Sequence, residues 1–250
     1  MNIADRRAAF RNLHESGCFV IPNPSNIGEA KRLETLGFKA IASSSAGAAW
    51  MLGKQDGELT CDEVLNHLRD LVEATELPVN ADFENGFADA PDAVAANVTR
   101  AIATGVAGLS IEDWSGRAIY DLPLAEARLQ AVRAAMDQSA TGTMLVGRAE
   151  GMLRGVESFE IVLRRLQAYD DAGADCLFAP GVRDIGQIRE LVAAVAPKPL
   201  NFIISRPGLS VAEVAAAGVR RVSTGGALAA TAWAAFDAAA RQLHDFGTIG

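Results

Sequence analysis

The amino-acid sequence predicts an α/β protein in which residues 1–250 form a single (β/α)8 barrel of the TIM type. Two observations predict it: eight short apolar runs recur along the chain, and amphipathic segments lie between most of them. Strands that read as nearly continuous apolar runs are typical of a parallel sheet whose outer face is covered. Eight of them alternating with helices favour a closed barrel over an open doubly wound sheet. No Pro-, Gly- or Ser-rich linker divides the chain, which supports one domain.

Turn-forming residues bound each predicted strand. The eight predicted strands are 18–21, 39–43, 78–82, 108–112, 143–148, 175–180, 200–205 and 220–224. Several follow a glycine suited to the left-handed C-cap of a helix, as in "ETLGFKAIA" and "AAAGVRRVS". Segments such as "AVAANVTRAIATG" space apolar residues by three and four, so amphipathic helices are predicted there. The final segment, "AAFDAAARQLHDFG", is rich enough in alanine to pack closely against another element or a neighbouring subunit.

Composition excludes several classes of protein. The chain is 50% hydrophobic and 22% charged, and its net charge of -8 provides no basic surface for nucleic acid. No apolar run has the length of a secretory signal or of a membrane span, so a cytoplasmic protein without a membrane partner is expected. Cys18, Cys61 and Cys176 are widely spaced, and they are expected to be reduced thiols rather than disulfides or zinc ligands.

Polar side chains collect at the carboxyl ends of the predicted strands, where the reactive groups of a barrel lie. They are Asn23, Ser44, Ser45, Asp82, Glu84, Glu112, Asp113, Arg148, Glu150, Ser205, Arg206 and the turn 223–226. A strand would send Asp82 and Glu84 to the same face, because they stand two residues apart. Carboxylates that converge on one mouth repel each other unless a cation lies between them, and all-oxygen ligation suits Mg²⁺ or Mn²⁺. We expect Asp82 to bind the ion directly, and Glu84 and Glu112 to hold its bound waters.

Each of these features also has a structural interpretation. Asp82 and Glu84 could be a solvated loop pair, and Arg148 could form a salt bridge to a barrel acid instead of facing an anionic substrate or an enolate oxygen. Residues 44–45 could be ordinary turn residues. The turn 223–226 suits a phosphate-binding turn and close packing equally well. The histidines, which are expected at the surface or at an interface and supply no predicted base, are His14, His67 and His244.

Five segments, in this order, resemble the isocitrate lyase / phosphoenolpyruvate mutase superfamily. They are "VIPNPSNIGEAKRLETLGFKAIASSSAGAAWMLGKQDGE", "LPVNADFENGFAD", "GLSIED", "LVGRAEG" and "RRLQAYDDAGADCLFAPG". The similarity runs through about residues 10–235, and its order and spacing are specific. The resemblance implies a (β/α)8 barrel, dimers or tetramers that exchange a C-terminal helix, and a Mg²⁺ ion that chelates an α-oxo or α-hydroxy acid.

The resemblance also implies roles for individual residues. Asp82 matches the direct metal ligand and Glu112 the water-mediated acid, whereas Glu84 stands where many members have a second Asp. Asp56 matches an acid that approaches the metal site from the following loop, and Arg148 matches the arginine that contacts the substrate's oxo group. The predicted catalytic residues are Asp56, Glu112 and Arg148. The predicted substrate-binding residues are Asn23, Ser44, Ser45, Gly47 and Arg148.

One loop departs from the superfamily pattern. Isocitrate and methylisocitrate lyases carry a mobile loop with a Lys-Cys-Gly-His-type motif after the fourth strand, whereas "IEDWSGRAIYDLPL" has no Cys, Lys or His. The lysine- and asparagine-bearing loop of the mutase is missing too. The chain resembles a short, bacterial-type member, and neither isocitrate cleavage nor phosphoenolpyruvate rearrangement is expected. Asn26 also stands where related barrels often have Asp.

The remaining set of a metal, a carboxylate clamp and an electrophilic arginine suits stabilisation of an enolate. The leading interpretation is a Mg²⁺-dependent carbon–carbon lyase or decarboxylase for a small 2-oxo or 2-hydroxy diacid, such as oxaloacetate or an alkylmalate. Retro-aldol cleavage needs a base, for which Glu150, Asp113 and Tyr120 are weak candidates. The alternatives are carbon–phosphorus chemistry on phosphonopyruvate, with Asp56 near phosphorus, and a 2-oxo acid binding protein without chemistry. A homodimer or homotetramer is expected.

Overall fold

A computed structural model describes residues 1–249 and confirms the predicted (β/α)8 barrel. All eight strands are parallel and form one sheet that follows the chain from β2 to β8 and ends with β1 beside β8. The strands are β1 Phe19–Ile21, β2 Ile41–Ala42, β3 Val79–Asp82, β4 Gly108–Glu112, β5 Met144–Arg148, β6 Cys176–Phe178, β7 Leu200–Ile203 and β8 Arg221–Ser223. A hydrogen bond of 3.0 Å from the Ala42 amide to the Pro22 carbonyl links β2 to the end of β1. All predicted strands are present, and every one except β4 is shorter than predicted.

The helices of the described residues are α1 Ile3–Leu13, α2 Ile27–Thr35, α3 Ser45–Met51, α4 Cys61–Ala74, α5 Pro91–Ala103, α6 Leu122–Ser139, α7 Gly151–Arg154, α8 Phe159–Asp171, α9 Ile185–Val195, α10 Val211–Ala216 and α11 Ala227–Phe246. Most of them cover the outer face of the sheet. Local signals begin and end them: Thr60 and Glu63 form a reciprocal capping box at the start of α4. The glycines predicted to end helices have positive φ, as expected, and are Gly37, Gly105, Gly173 and Gly218.

Side chains alternate along each strand, so that one set faces the core under the helices and the other set faces the barrel interior and the site. On β4, Leu109 and Ile111 point outward into the main hydrophobic cluster under the helices, whereas Ser110 and Glu112 line cavities inside the barrel. The interior therefore carries polar side chains along its axis. Because parallel strands share one direction, their carboxyl ends form a single mouth where residues from different strands meet.

Helix α1 closes the opposite, amino-terminal end of the barrel. Phe10 is fully buried there, and His14 is only 4% exposed, with ring centroids 4.7 Å and 4.9 Å from Phe10 and Phe19 respectively. The expectation that His14 lies at the surface or at an interface is therefore wrong, because α1 packs its apolar side across the floor of the barrel. Burial, aided by the charge of Arg221, lowers the pKa of His14 to about 3.

Helix α11 leaves the barrel with little packing. Only Ala229 is buried along its 20 residues, while Trp233 and Phe236 are 43% and 66% exposed. Across residues 1–249, no helix combines the length and apolar character needed to span a bilayer. The three cysteines are free thiols, as predicted.

Candidate active site

Arg148 lies at the centre of the mouth. The register of the sheet places Arg148 of β5 directly beside Glu112 of β4. Its Nη1 atom is 3.2 Å from Glu112 Oε2 and 3.2 Å from Asp82 Oδ1, while Nε donates a 2.7 Å hydrogen bond to Glu150 Oε1. The ring of Phe178 lies beneath the guanidinium, with its centroid 5.4 Å from Cζ. A single cation therefore contacts three of the predicted acids at once.

This arrangement fixes the charge of the guanidinium. Burial alone would lower the pKa of Arg148, but Glu150, Glu112 and Asp82 together raise it well above its ordinary value. The hydrogen bonds of the side chain use Nε and Nη1. Within residues 1–249, Nη2 of Arg148 forms no hydrogen bond, so this donor could serve a bound anion.

Asp82 ends β3 and is tied to the neighbouring strand. Its Oδ2 atom accepts a 3.1 Å hydrogen bond from the Ser45 amide, and its own amide donates to Ser43 Oγ at 2.8 Å. Its side chain retains 18% exposure at the mouth. Asp82 is therefore held in place by the loop after β2 while its side chain remains partly accessible from the mouth.

Glu84 has a carboxylate oxygen that lacks a partner. Its backbone has φ of 46°, a left-handed conformation that few non-glycine residues adopt, and its Oε1 atom is buried without a hydrogen bond. Burial, followed by the charges of Asp82 and Asp56, raises the pKa of Glu84 to about 8. Burial also raises the pKa of Glu112, although Arg148 opposes this. The site around Glu84 and Glu112 therefore contains too little positive charge to neutralise both side chains.

The loop that carries Glu84 is clamped from below by α6. Arg128 is 1% exposed and donates to the carbonyls of Ala88 and Asp89 at 2.7 Å and 3.0 Å, and also to the carbonyl of Asn85. Its guanidinium stacks 4.0 Å from the centroid of the Tyr120 ring. The strained turn that presents Glu84 is thus held by a buried arginine, whose charge is satisfied by carbonyl oxygens.

Three open chambers meet at Arg148. The acidic chamber, of about 360 Å³, is lined by Ser45, Asp56, Glu84, Glu112, Trp114 and Arg154 among others. The inner chamber, of about 140 Å³, descends along the barrel axis past Ser43, Ser44, Asp82, Ser110 and Arg221. The side chamber, of about 290 Å³, lies between the loops after β6 and β7. Each of the three is lined by Arg148.

Two predicted substrate-binding residues serve the framework of the mouth. Gly47 lines none of the three chambers: its amide donates to Ser44 Oγ at 3.2 Å, and a Cβ there would lie 2.5 Å from Ser25 Oγ. Asn23 lines the inner chamber, but its side chain is already engaged: Nδ2 donates to the Ser43 carbonyl, and Oδ1 accepts from the backbone amides of Thr224 and Gly225. Those bonds fasten β1 to β2 and β8.

The same bonds decide between the two interpretations of the turn 223–226. The Thr224 and Gly225 amides, which a phosphate would require, both donate to Asn23 Oδ1 at 2.9 Å. Gly226 packs against Trp50, because a Cβ at Gly226 would lie 3.2 Å from that ring. The turn is therefore explained by packing rather than by phosphate binding.

None of the three weak base candidates faces an open chamber. Glu150 is fully buried between Arg148 and Arg154, and Asp113 accepts hydrogen bonds from the Glu150 amide at 2.8 Å and the Tyr169 hydroxyl at 2.6 Å. The Tyr120 hydroxyl donates to Asp89 and accepts from Asn85. Glu150 and Asp113 support the residues around Arg148, Tyr120 supports the loop after β3, and none of the three lines the acidic, inner or side chamber.

Sequence reasoning missed two arginines and an aromatic residue of the site. Arg154 stacks 4.7 Å from the centroid of the Trp114 ring and donates to Glu150 Oε2 at 2.9 Å. The i, i+4 spacing of Glu150 and Arg154 in the sequence could have predicted this ion pair. Arg221, buried on the floor of the inner chamber, has Asn80 Oδ1 as a neutral partner at 3.2 Å. The sequence indicates Arg221 by its place inside a predicted strand, at a position whose side chain faces the barrel interior.

The donor set at the mouth fits a hard cation. Within residues 1–249, no group of three His, Cys, Asp or Glu side chains is arranged to hold a metal ion directly. Mg²⁺, however, commonly takes one or two carboxylates and keeps several waters. The unpartnered Glu84 Oε1 beside Asp82 and Asp56 marks a place where added positive charge would be stabilised. The residues therefore fit a Mg²⁺ ion with few direct protein ligands.

Fold and site together define an enzyme-type (β/α)8 barrel with a polar, charged mouth at the carboxyl ends of its strands. The family model for phosphoenolpyruvate phosphomutase matches residues 10–244. The chain belongs to this family, within the phosphoenolpyruvate mutase / isocitrate lyase superfamily.

Individual relatives agree with that assignment. A crystal structure of a lyase/mutase candidate from Burkholderia cenocepacia J2315 is 42% identical, with a TM-score of 0.95, covering 99% of this chain and 90% of that one. An oxaloacetate decarboxylase of Pseudomonas putida (strain GB-1) is 30% identical over 251 residues, 96% of this chain and 83% of that protein. The crystal structure of a 2,3-dimethylmalate lyase is 26% identical, with a TM-score of 0.89, covering 100% of this chain and 90% of that one.

Proposed function

We propose that this chain is a Mg²⁺-dependent lyase or decarboxylase that breaks a carbon–carbon bond of a small 2-oxo or 2-hydroxy acid. The observation that carries the proposal is the Arg148 guanidinium, fixed by Asp82, Glu112 and Glu150 where three chambers meet. The names of two relatives, an oxaloacetate decarboxylase and a 2,3-dimethylmalate lyase, support carbon–carbon chemistry on acids of this size.

Asp82 would hold Mg²⁺, or Mn²⁺, directly, with Glu84 and Glu112 bonded to its waters. When bound, the ion would supply Lewis-acid stabilisation of negative charge at the reacting carboxylic acid. Glu84 contributes the unpartnered oxygen, and Asp56 adds a second acid from the loop before α4. The Ser45 amide donates to Asp82 Oδ2 at 3.1 Å and so orients this carboxylate.

The chain's own residues would act on the substrate as follows. Ser44 and Ser45 line the inner chamber and would bind the carboxylate at C1. Nη2 of Arg148 would donate to the C2 oxygen and stabilise the negative charge that develops there as the bond to the C3 substituent breaks. This donor costs no reorganisation, because three carboxylates already hold it.

Loss of CO₂ fits this site better than retro-aldol cleavage. In decarboxylation the electron pair of the broken bond moves to the C2 oxygen, and C3 later takes a proton from water, so no protein base is required. Retro-aldol cleavage needs a base to remove a hydroxyl proton. The candidates Glu150, Asp113 and Tyr120 are all engaged in internal hydrogen bonds. An oxaloacetate-like substrate is therefore favoured over an alkylmalate.

A panel of acids with and without Mg²⁺ tests the proposal. Thermal shift and turnover would be measured with oxaloacetate, 2,3-dimethylmalate, pyruvate and phosphonopyruvate. The expected result is Mg²⁺-dependent protection by the 2-oxo acids and production of pyruvate from oxaloacetate above the metal-only rate. Mg²⁺-dependent protection without consumption of any acid would instead identify a binding protein and refute the proposed activity.

Carbon–phosphorus cleavage is the second candidate, because Asp56 lines the acidic chamber and the family takes its name from a phosphomutase. Release of phosphate from phosphonopyruvate, with oxaloacetate left intact, would reverse the ranking. A homo-oligomer is part of the proposal as well. The exposed Trp233 and Phe236 of α11 would be covered by a second copy of the chain.

A further inference from the structure

We propose that the floor of the inner chamber binds a small monovalent anion on the free edge of the Arg221 guanidinium, at a site separate from that of the substrate. Arg221 begins β8, and its side chain lines the chamber, whereas the next residue, Val222, packs in the hydrophobic cluster under the helices. Only 3% of Arg221 is exposed. The reaction proposed above gives this buried charge no role.

The floor lies below the residues assigned to the metal and the substrate. Arg221 Nη1 donates to Asn80 Oδ1 at 3.2 Å. Asn80 and Asp82 both face the inner chamber from β3, and a spacing of two residues corresponds to about 6–7 Å along a strand. Arg221 therefore acts one layer of side chains nearer the amino-terminal end of the barrel than Asp82.

No carboxylate neutralises Arg221. Within residues 1–249 its hydrogen-bond partner is the neutral amide of Asn80, and it forms no ion pair. Burial lowers the pKa of Arg221, and the charges of Cys176 and Asp82 offset this only in part. Asp82 is itself paired with Arg148 at 3.2 Å. Because a guanidinium stays protonated in proteins, the floor of the chamber carries a buried positive charge that lacks a counter-ion.

The free donors of Arg221 form one edge of its guanidinium. Nη1 binds Asn80, whereas Nε is buried without a hydrogen bond and Nη2 forms none within the described residues. The N–H of Nε and one N–H of Nη2 lie side by side in the guanidinium plane and point in the same direction. Arginine binds anions through such an edge, by two parallel hydrogen bonds. The edge that suits an anion is therefore the one that the protein leaves free.

A neighbouring amide can supply a further donor. Asn201 of β7 is in register with Arg221, lines the same chamber and is 2% exposed. Its Oδ1 atom is buried without a partner, while Nδ2 donates to Ser223 Oγ at 3.1 Å. Rotation of the amide by half a turn would let Oδ1 accept from the Ser223 hydroxyl and would direct Nδ2 into the chamber. An anion beside Arg221 thus accounts for the unpartnered atoms of both residues.

Space and charge favour a small, singly charged ion. The inner chamber has a volume of about 140 Å³, and a water molecule requires about 10–15 Å³ of such space, so a halide or formate ion fits together with water. The chamber leads to the acidic mouth past Asp82, whose charge repels multiply charged anions more strongly than monovalent ones. Bromide and formate are therefore suitable probes.

Urea unfolding at constant ionic strength tests the site. Sodium gluconate, which has a bulky anion, would be replaced stepwise by sodium bromide or sodium formate. Above the dissociation constant, each tenfold rise in the small anion should lower the unfolding constant of the wild-type protein about tenfold. Arg221→Met removes the charge but keeps a side chain of similar length, and it should abolish this dependence. Arg189→Met, at an exposed position of α9, is the matched control and should keep it.

Crystals of the wild-type protein soaked in bromide locate the ion and decide the matter even if the Arg221 variant fails to fold. Anomalous scattering should place bromide beside Nε and Nη2 of Arg221. Water alone at that position, wild-type stability that responds to neither anion, or an equal response in Arg221→Met would each overturn the proposal. Displacement of the bromide by pyruvate and Mg²⁺ would assign Arg221 to the substrate and overturn the separate site. Bromide retained beside bound pyruvate supports it.

Discussion

A single guanidinium balances much of the negative charge in the mouth. Arg148 contacts Asp82, Glu112 and Glu150, and a buried carboxylate without such a partner would cost several kcal/mol. Glu84 lies outside this set, and its raised pKa and unpartnered oxygen follow from that position. The remaining need for positive charge is thus concentrated beside Asp82 and Glu84.

Substitution of Asp82 tests the metal site. Asp82→Ala should abolish the Mg²⁺-dependent thermal protection by 2-oxo acids, because it removes the proposed direct ligand. The unliganded protein should keep its fold, since Arg148 retains Glu112 and Glu150 as partners. Asp171→Ala, at the exposed end of α8, serves as the control. Full Mg²⁺-dependent protection in the Asp82 variant would contradict the assignment.

His14 should make folding stability depend on pH. The folded protein holds the pKa of His14 at about 3 through burial, whereas the ordinary value is 6.5. Its contribution to stability is complete above about pH 6.5. Between about pH 6.5 and 3 the unfolded chain takes up a proton that the folded chain excludes, so stability falls as pH falls, by up to about 1.4 kcal/mol per pH unit.

Denaturant unfolding at several pH values measures this effect. His14→Asn removes the titrating group but keeps a nitrogen that can donate to the Phe10 carbonyl, which His14 Nδ1 contacts at 2.8 Å. The variant should show a shallower loss of stability between pH 6.5 and 4 than the wild type. His244→Asn, on the exposed helix α11, is the matched control. Identical slopes for the His14 variant and the wild type would exclude His14 as the source.

Among the structural elements, the loop 83–90 after β3 combines strain with support. Glu84, Gly86 and Phe87 all have positive φ, and the loop carbonyls are bound by Arg128. Strained backbone persists only where the surroundings determine it. The loop therefore depends on α6 for its shape, and the position of Glu84 depends on the loop.

The variant Arg128→Lys should distinguish the hydrogen bonds to the loop carbonyls from the positive charge of the side chain. A lysine keeps the charge but cannot reach three carbonyls with one planar group, so the free energy of unfolding should fall by about 2–3 kcal/mol. Mg²⁺-dependent ligand protection should weaken as well, because Glu84 loses its support. Chemical denaturation and thermal shift measure the two effects. Arg69→Lys, on the exposed face of α4, should change neither.

The segment between β4 and α6 confirms the short loop expected from the sequence. Trp114 and Ile119 form an isolated antiparallel bridge, and Ser115 Oγ accepts from the Ala118 amide at 2.9 Å and donates to the Ala118 carbonyl at 2.7 Å. This tight turn places Trp114 in the wall of the acidic chamber. This segment forms one side of the acidic chamber and contributes no acidic side chain to its lining.

At the scale of the whole molecule, α11 predicts an assembly. Phe236→Glu would place a charge on the exposed apolar side of the helix and should convert a homo-oligomer into monomers, as measured by light scattering after gel filtration. Ala238→Glu lies two residues further on, roughly on the opposite side of the helix, and should leave the assembly intact. A monomeric wild-type protein, or equal dissociation by both variants, would contradict the proposal.

Local pattern was sufficient for the architecture. Apolar runs of strand length, glycine C-caps and helical spacing depend on neighbours in the chain, and they predicted all eight strands in order. The position of Asp82, Glu84, Glu112 and Arg148 around one mouth followed from the barrel alone, because parallel strands bring their carboxyl ends together. The roles of Gly47 and of the turn 223–226 could not be predicted from the sequence, because they depend on contacts with Ser25 and Asn23, which are distant along the chain.

What the sequence by itself determined is therefore the fold, the family and the set of residue types at the strand ends. Only the tertiary structure decided which acids Arg148 would neutralise, that His14 would be buried, and that Arg183 and Arg206 would share a chamber with Arg148. The reason is physical. Periodicity is a property of adjacent residues, whereas charge pairing and desolvation depend on strand register and on segments that meet from distant parts of the chain.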